Sequence, residues 1–164
     1  MSEIVIRKAS ENDFPDIWEI FRKVIEKEDS FAWTAATTRQ EAHEVWFSPK
    51  VYTYVAREDN KILGAYFIKA NQPGLGSHIA NAAYMVDPEQ QGRGIATKLC
   101  LHSLEEAKQK GFRAMQFNIV VSTNLPAVHL WQKLGFKIIG TTPEAFKHRE
   151  KGFVDAHIMY RSLV

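Results

Sequence analysis

Apolar positions along the chain switch between two spacings, and each switch marks an element. Glu3 to Arg7 alternates as E-I-V-I-R and predicts a strand. Phe14, Ile17, Trp18, Phe21, Val24 and Ile25 then recur at helical spacing, predicting a helix to about Lys27. Ser10-x-x-Asp13 suits its N-terminus, and Pro15 is tolerated in a first turn. A polar, small-residue loop from Asp29 to Thr37 carries Phe31 and Trp33. Thr38 opens a shorter helix with Ala42, Val45, Trp46 and Phe47, closed by Ser48-Pro49.

Val51 to Arg57 and Lys61 to Lys69 read as strands joined at Glu58-Asp59-Asn60, a hairpin signal. Asn71 to Ser77 is a loop, and His78 to Val86 an apolar strand. A helix from Ile95 to Lys110 places Ala96, Leu99, Cys100, Ser103, Leu104 and Ala107 on one face and stops at Gly111. Phe112 to Val121 reads as a buried strand, and Asn124 to Leu134 as a helix ending at Gly135. Phe136 to Gly140 is a strand, Thr141 to Gly152 a polar segment, and Phe153 to Arg161 the last strand. The order β-α-α-β-β-β-α-β-α-β-β predicts one mixed α/β sheet, with no internal repeat and no linker.

Composition narrows the function classes. A chain of 164 residues with 45% hydrophobic and 24% charged content is expected to form one soluble domain. Twenty-one basic against 19 acidic residues give +2, too small a balance to point to nucleic acid. The apolar stretches are short for a membrane span, and no secretory signal is visible after Met1, so a cytoplasmic protein is expected. One cysteine, Cys100, excludes an intramolecular disulfide and a Cys-based zinc cluster; helical core spacing favours inert packing for it. The six histidines show neither H-E-x-x-H nor H-x-H spacing, so no metal is expected.

The segment V-D-P-E-Q-Q-G-R-G-I-A, Val86 to Ala96, carries the sharpest chemistry. A Gly-rich turn between strand and helix leaves N–H groups at the positive end of a helix dipole, where a phosphate is held without metal. Gly92 and Gly94 remove the Cβ that would stand between backbone and anion. The dinucleotide fingerprint is absent, since position 97 is Thr, and the P-loop spacing is absent too.

What remains is Q-x-x-G-x-A, formed by Gln91, Gly94 and Ala96. It resembles the acetyl-CoA pyrophosphate loop of the GNAT acetyltransferases, [R/Q]-x-x-G-x-[G/A], which usually follows V-x-P, here Val86-Asp87-Pro88. Asn124 to Phe136 resembles the family's second signature, N-x-x-A-x-x-L-Y-x-K-x-G-F, at Asn124, Ala127, Leu130, Lys133, Gly135 and Phe136. The element order is also that of the GNAT fold. The resemblance implies a single α/β domain over 1–164, its sheet mixed and mostly antiparallel, with a splayed fourth strand and flanking helices. It implies acetyl-CoA as acyl donor and N-acetyl transfer to a small-molecule amine.

By that resemblance the backbone from Gln91 to Ala96 would hold the pyrophosphate, with Ile95 and Thr97 opening the helix and Arg93 adding charge. Met85 or Val86 would offer an N–H to the thioester carbonyl. Asn124 would bond the pantetheine arm, and Lys133 would either reach the adenosine phosphate or stay solvated. One position departs: the family commonly has Tyr where this chain has Trp131. An indole N–H has no usable acidity, so Trp131 cannot protonate a leaving thiolate. A thiol of pKa about 8.5 leaves tolerably with a hydrogen bond or solvent alone. Trp131 is expected to pack against the pantetheine or substrate, or within the core.

The stretches F-N-I-V-V-S-T-N and W-Q-K-L-G-F-K-I-I-G resemble a fungal GNAT branch that acetylates proline analogues such as azetidine-2-carboxylate and also carries Trp at that position. Its asparagines grip a small carboxylated amine. By position Asn81, Asn118 and Asn124 are the counterparts, although a structural hydrogen bond is an equal reading for Asn81 and Asn118. His78 is a candidate base or a surface histidine. Phe31, Trp33 and Tyr84 are candidates for the acceptor side, as is Phe146, with core burial the competing reading for the aromatic pair. Two other functions stay open: acetylation of a peptide amine, and an acyl-CoA sensor without turnover. Many relatives pair through late strands, which makes Phe153 to Tyr160 a candidate homodimer surface by analogy.

Overall fold

A computed structural model describes residues 2–164. The chain runs β1 (Ile4–Lys8), α1 (Phe14–Ile25), α2 (Arg39–Phe47), β2 (Tyr52–Glu58), β3 (Lys61–Ala70), β4 (Ile79–Val86), α3 (Ile95–Gln109), β5 (Ala114–Val121), α4 (Leu125–Lys133), β6 (Lys137–His148) and β7 (Gly152–Ser162). The strands form one sheet in the order β1-β2-β3-β4-β5-β7-β6. Every neighbouring pair is antiparallel except β4 and β5. No described helix is long and apolar enough to cross a membrane.

Helices cover both faces of the sheet. α1 and α2 bury Ile17, Phe21 and Trp46 against Val55, Ala65 and Phe67 on one side. On the other, Ile95, Leu99, Cys100 and Leu104 of α3 pack on Leu63, Tyr66 and Ile68, with Val128 and Phe136 completing the layer. Gly64 sits under α3 at a close approach: a Cβ there would lie 2.8 Å from the Met85 carbonyl oxygen and 3.2 Å from Leu99 Cδ1.

Two boundaries differ from the sequence pattern. Before α1, residues Glu11–Asp13 form a 3-10 turn. The Asp13 carboxylate accepts from Ser10 N at 2.7 Å and from both terminal guanidinium nitrogens of Arg7 at 2.8 Å. The hydrogen bond and charge of Arg7 hold that carboxyl below its usual range. The larger difference is the polar segment Thr141 to Gly152, most of which continues β6 as far as His148. Register shifts at Ile138/Gly140 and Thr142/Phe146 break the period-two alternation, and the ribbon is largely exposed. A strand with neither alternation nor burial leaves no hydrophobic signal.

Candidate active site

The site begins where the sheet fails to close. β4 and β5 pair only at Ile79–Ala114 and Ala80–Met115, then diverge. At the next position Asn81 replaces the ladder, its Nδ2 donating to Gln116 O at 3.0 Å. Beyond it the strands splay into a cleft of about 600 Å³, within the range of small-molecule sites.

Strand pairing decides which β4 amides face this cleft. Asp87 N donates to Leu63 O and Asn71 N to Ile79 O, so odd-numbered residues turn their backbone groups toward β3. The Arg113 N–H bond to His78 O shows even-numbered carbonyls on the β5 side. Unbroken register from Gly64–Val86 to Ala70–Ala80 carries the alternation through. The N–H groups of Ala82, Tyr84 and Val86 therefore face the opening, and that of Met85 faces β3. Of the two residues expected to offer an amide, Val86 has the orientation.

At one end of the cleft lies the Gly-rich turn, with Gln91 and Ala96 in its wall. Gly92 and Gly94 have φ of 80° and 73°, and a Cβ on either would meet nothing within 4 Å. Glycine is required here by backbone conformation, not by space. Gly94 is the N-cap of α3 and brings no side chain to cap it, unlike Thr38 at α2 and Asn124 at α4. The first amides of α3, at Ile95, Ala96 and Thr97, thus keep the donors that an anion takes. Arg93 does not line the cleft; it pairs with Glu58 and donates to Gln90 Oε1 at 2.8 Å. Lys133 is exposed and also outside the lining.

α4 forms the opposite wall. Asn124 Oδ1 caps its N-terminus by accepting from Ala127 N at 3.4 Å, which leaves the Nδ2 donor for the cleft that Asn124 lines. Leu130 and Trp131 continue the wall. Trp131 packs 5.1 Å from Tyr84 and 5.0 Å from Phe117, centroid to centroid, so it is both core aromatic and cleft surface. The Tyr84 ring lines the cleft, but its hydroxyl turns inward, 2.6 Å from Ser103 Oγ. Burial pushes that phenol well above its ordinary range, which makes it a poor proton donor. Burial likewise pushes the Cys100 thiol up to about 11, as an inert packing role requires.

The rest of the lining comes from segments far apart in sequence. Phe31 lines the cleft and stacks on Trp33 at 5.8 Å; Trp33 stands behind against Phe21 and Phe67 and does not reach the lining. Lys27, Asp29 and Ser30 come from the segment after α1, and His148, Glu150 and Lys151 from the β6–β7 turn. Arg149 ties the two together, its N donating to Glu28 O and its Nη1 to Glu26 O, both at 3.2 Å. None of the charged groups here was singled out from sequence, because about 120 residues separate the two segments. His78 is exposed just before β4, at the opposite strand end from Val86, roughly 25 Å away at about 3.3 Å per residue. Asn118 is exposed outside the cleft, bonded to Asn71 and Gln116. Phe146 is buried and outside the lining.

Known proteins share this fold and part of this sequence. The profile of the acetyltransferase (GNAT) family matches residues 14–136. A GCN5-related N-acetyltransferase from Kribbella flavida is 40% identical, with a TM-score of 0.92 over 97% of both chains. The L-amino acid N-acetyltransferase AaaT of Escherichia coli is 29% identical over 98% of this chain and 99% of its own. The N-acetyltransferase aca1 of Schizosaccharomyces pombe is 38% identical over 98 residues, which are 59% of this chain and 47% of that protein. With the splayed β4–β5 cleft and the uncapped α3 N-terminus in place, the chain belongs to the GNAT family of acetyltransferases.

Proposed function

We propose that the protein is an acetyl-CoA-dependent N-acetyltransferase acting on the amine of a small molecule, an amino acid foremost. The observation that carries this reading is one cleft lined both by the turn before an uncapped helix N-terminus and by a charged cluster from two distant segments. The α3 amides and the turn from Gln91 to Thr97 receive the pyrophosphate. Asn124 Nδ2 bonds the pantetheine amide, and Leu130 and Trp131 cover its apolar length. Acetyl-CoA supplies the acyl group as an activated thioester.

The chain's own groups then act at the reacting end. Val86 N–H, turned into the cleft, donates to the thioester carbonyl and favours the charge that builds there. Asp29 and Glu150 are the carboxylates of the lining, and Asp29, half-buried, takes the ammonium proton directly or through water. The amine nitrogen then bonds the acyl carbon and the carbon–sulfur bond breaks; the proton that the nitrogen sheds on becoming an amide passes through solvent to the departing thiolate, and CoA leaves as the thiol. Trp131 contributes surface and no proton, and the tethered β6–β7 tip favours a small acceptor over an extended peptide.

Release of free thiol from acetyl-CoA across a panel of amines tests the reading. Amine-dependent release is expected; a protein that binds CoA yet turns over no amine is a sensor. Asn124→Asp keeps the helix cap but removes the donor. It should weaken CoA binding roughly 2–12-fold, the net worth of one hydrogen bond. Unchanged affinity would remove Asn124 from the pantetheine site.

A further inference from the structure

We propose that the acceptor mouth holds a carboxylate-binding subsite, in which His148 Nε2–H, Lys27 and Lys151 receive the carboxylate of an α-amino acid. This rests on the acetyl-transfer reading and names the acceptor chemistry of the same cleft.

The first observation is the state of His148. Its Nδ1 lies 3.1 Å from both Glu150 N and Lys151 N, each of which has only a hydrogen to offer. Two donors aimed at one ring nitrogen put the lone pair there and the ring proton on Nε2. That Nε2–H has no protein acceptor among the described residues, although His148 is half-buried in the cleft wall. Nε2 is not a buried unsatisfied atom, so on a ring that lines the cleft this donor stays open to an acceptor that enters it.

The second observation is the charge around it. Lys27 and Lys151 line the same mouth, and neither lies within ion-pair distance of a described carboxylate. Arg149 stands outside the subsite because it does not line the cleft; its backbone N and its Nη1 bond Glu28 O and Glu26 O. Those bonds fix the tip against the segment after α1, so His148 and Lys27 are held on facing elements. Asp29 and Glu150 stand in the same lining, also without an ion-pair partner. Two cations and a ring donor beside two carboxylates match a zwitterion, the ammonium against the acids and the carboxylate against the cations.

Steady-state kinetics on L-α-amino acids and their carboxamides, with saturating acetyl-CoA, test the subsite. The wild type should prefer the acid in kcat/KM. His148→Asp keeps an acceptor for the two turn amides but removes the donor and adds a negative charge. It should lower the acid-to-carboxamide ratio by at least roughly tenfold, as loss of a charge-assisted bond does. Lys151→Met should lower it in the same direction, while Lys137→Met, on exposed β6 outside the cleft, leaves it unchanged. Equal use of acid and carboxamide by the wild type overturns the subsite and leaves acetyl transfer standing. A rise in the CoA dissociation constant of His148→Asp with an unchanged ratio overturns it too, assigning these cations to the donor. If no amine turns over, the transfer reading fails. Calorimetric titration of amino acids into the CoA-loaded protein then judges the subsite alone: binding that His148→Asp does not weaken overturns it.

Discussion

Asn81→Leu separates two roles for one side chain. The carboxamide bonds Gln116 O at 3.0 Å, where the β4–β5 ladder stops, so its first role is to end the pairing cleanly. Leucine is close in volume but leaves the part-buried Gln116 carbonyl without that donor. An unsatisfied group of this kind costs about 1–3 kcal/mol. In a chain of this size each kcal/mol moves the melting midpoint about 2–4 °C, so a loss of about 2 kcal/mol lowers it by roughly 4–8 °C. Calorimetric melting of the free protein reads the stability loss. Kinetics on the same variant read the second role, a direct grip on the acceptor. The expected result is a lower midpoint, with acceptor KM rising no more than acetyl-CoA KM, because both edges of one cleft loosen together. An unchanged midpoint with an acceptor KM raised tenfold would refute this reasoning and make Asn81 a substrate contact.

Two further perturbations probe the frame around the cleft. Gly64→Ala places a methyl 2.8 Å from the Met85 carbonyl oxygen and 3.2 Å from Leu99 Cδ1, an overpacking cost of about 1–3 kcal/mol. Its urea midpoint should fall, with kcat falling alongside because β4 must shift; an unchanged midpoint would mean that the strand yields freely. His102 has its pKa lowered, by burial foremost and against the pull of Glu106, and its Nδ1 lies 2.7 Å from the Tyr66 hydroxyl. The unfolded chain therefore binds this proton more readily, and the His102 contribution is full above about pH 6.5 and lost as pH falls toward the folded value. Denaturation midpoints from pH 7 to 5 should fall more steeply for the wild type than for His102→Gln; parallel curves would remove His102 as the cause.

Legibility in the sequence followed contiguity. The donor end is built from two short runs, Val86 to Thr97 and Asn124 to Trp131, each containing its turn, its cap and its helix start. Local spacing states such a site almost completely. It does not state orientation: only the β3–β4 register shows that Val86, and not Met85, turns its amide to the opening. Nor does it show Arg93 tied to Glu58, since that partner lies 35 residues away.

The acceptor end obeys a different rule. Phe31 was visible because an aromatic residue in a polar loop stands out, whereas Lys27, His148 and Lys151 are ordinary charged residues until the fold sets two segments against each other. The tethers are mainly backbone acceptors, Glu26 O and Glu28 O, which every residue type supplies. The bond from Arg149 N to Glu28 O survives any side-chain change in the tip, the one from Arg149 Nη1 needs the arginine, and the turn and the α3 N-terminus require glycine at two positive-φ positions. On the proposed reading, backbone conformation serves donor recognition and side chains on the docked hairpin serve acceptor recognition. The proposed subsite therefore places the choice of acceptor at His148 and its neighbours, and the acid-to-carboxamide ratio of their variants decides it.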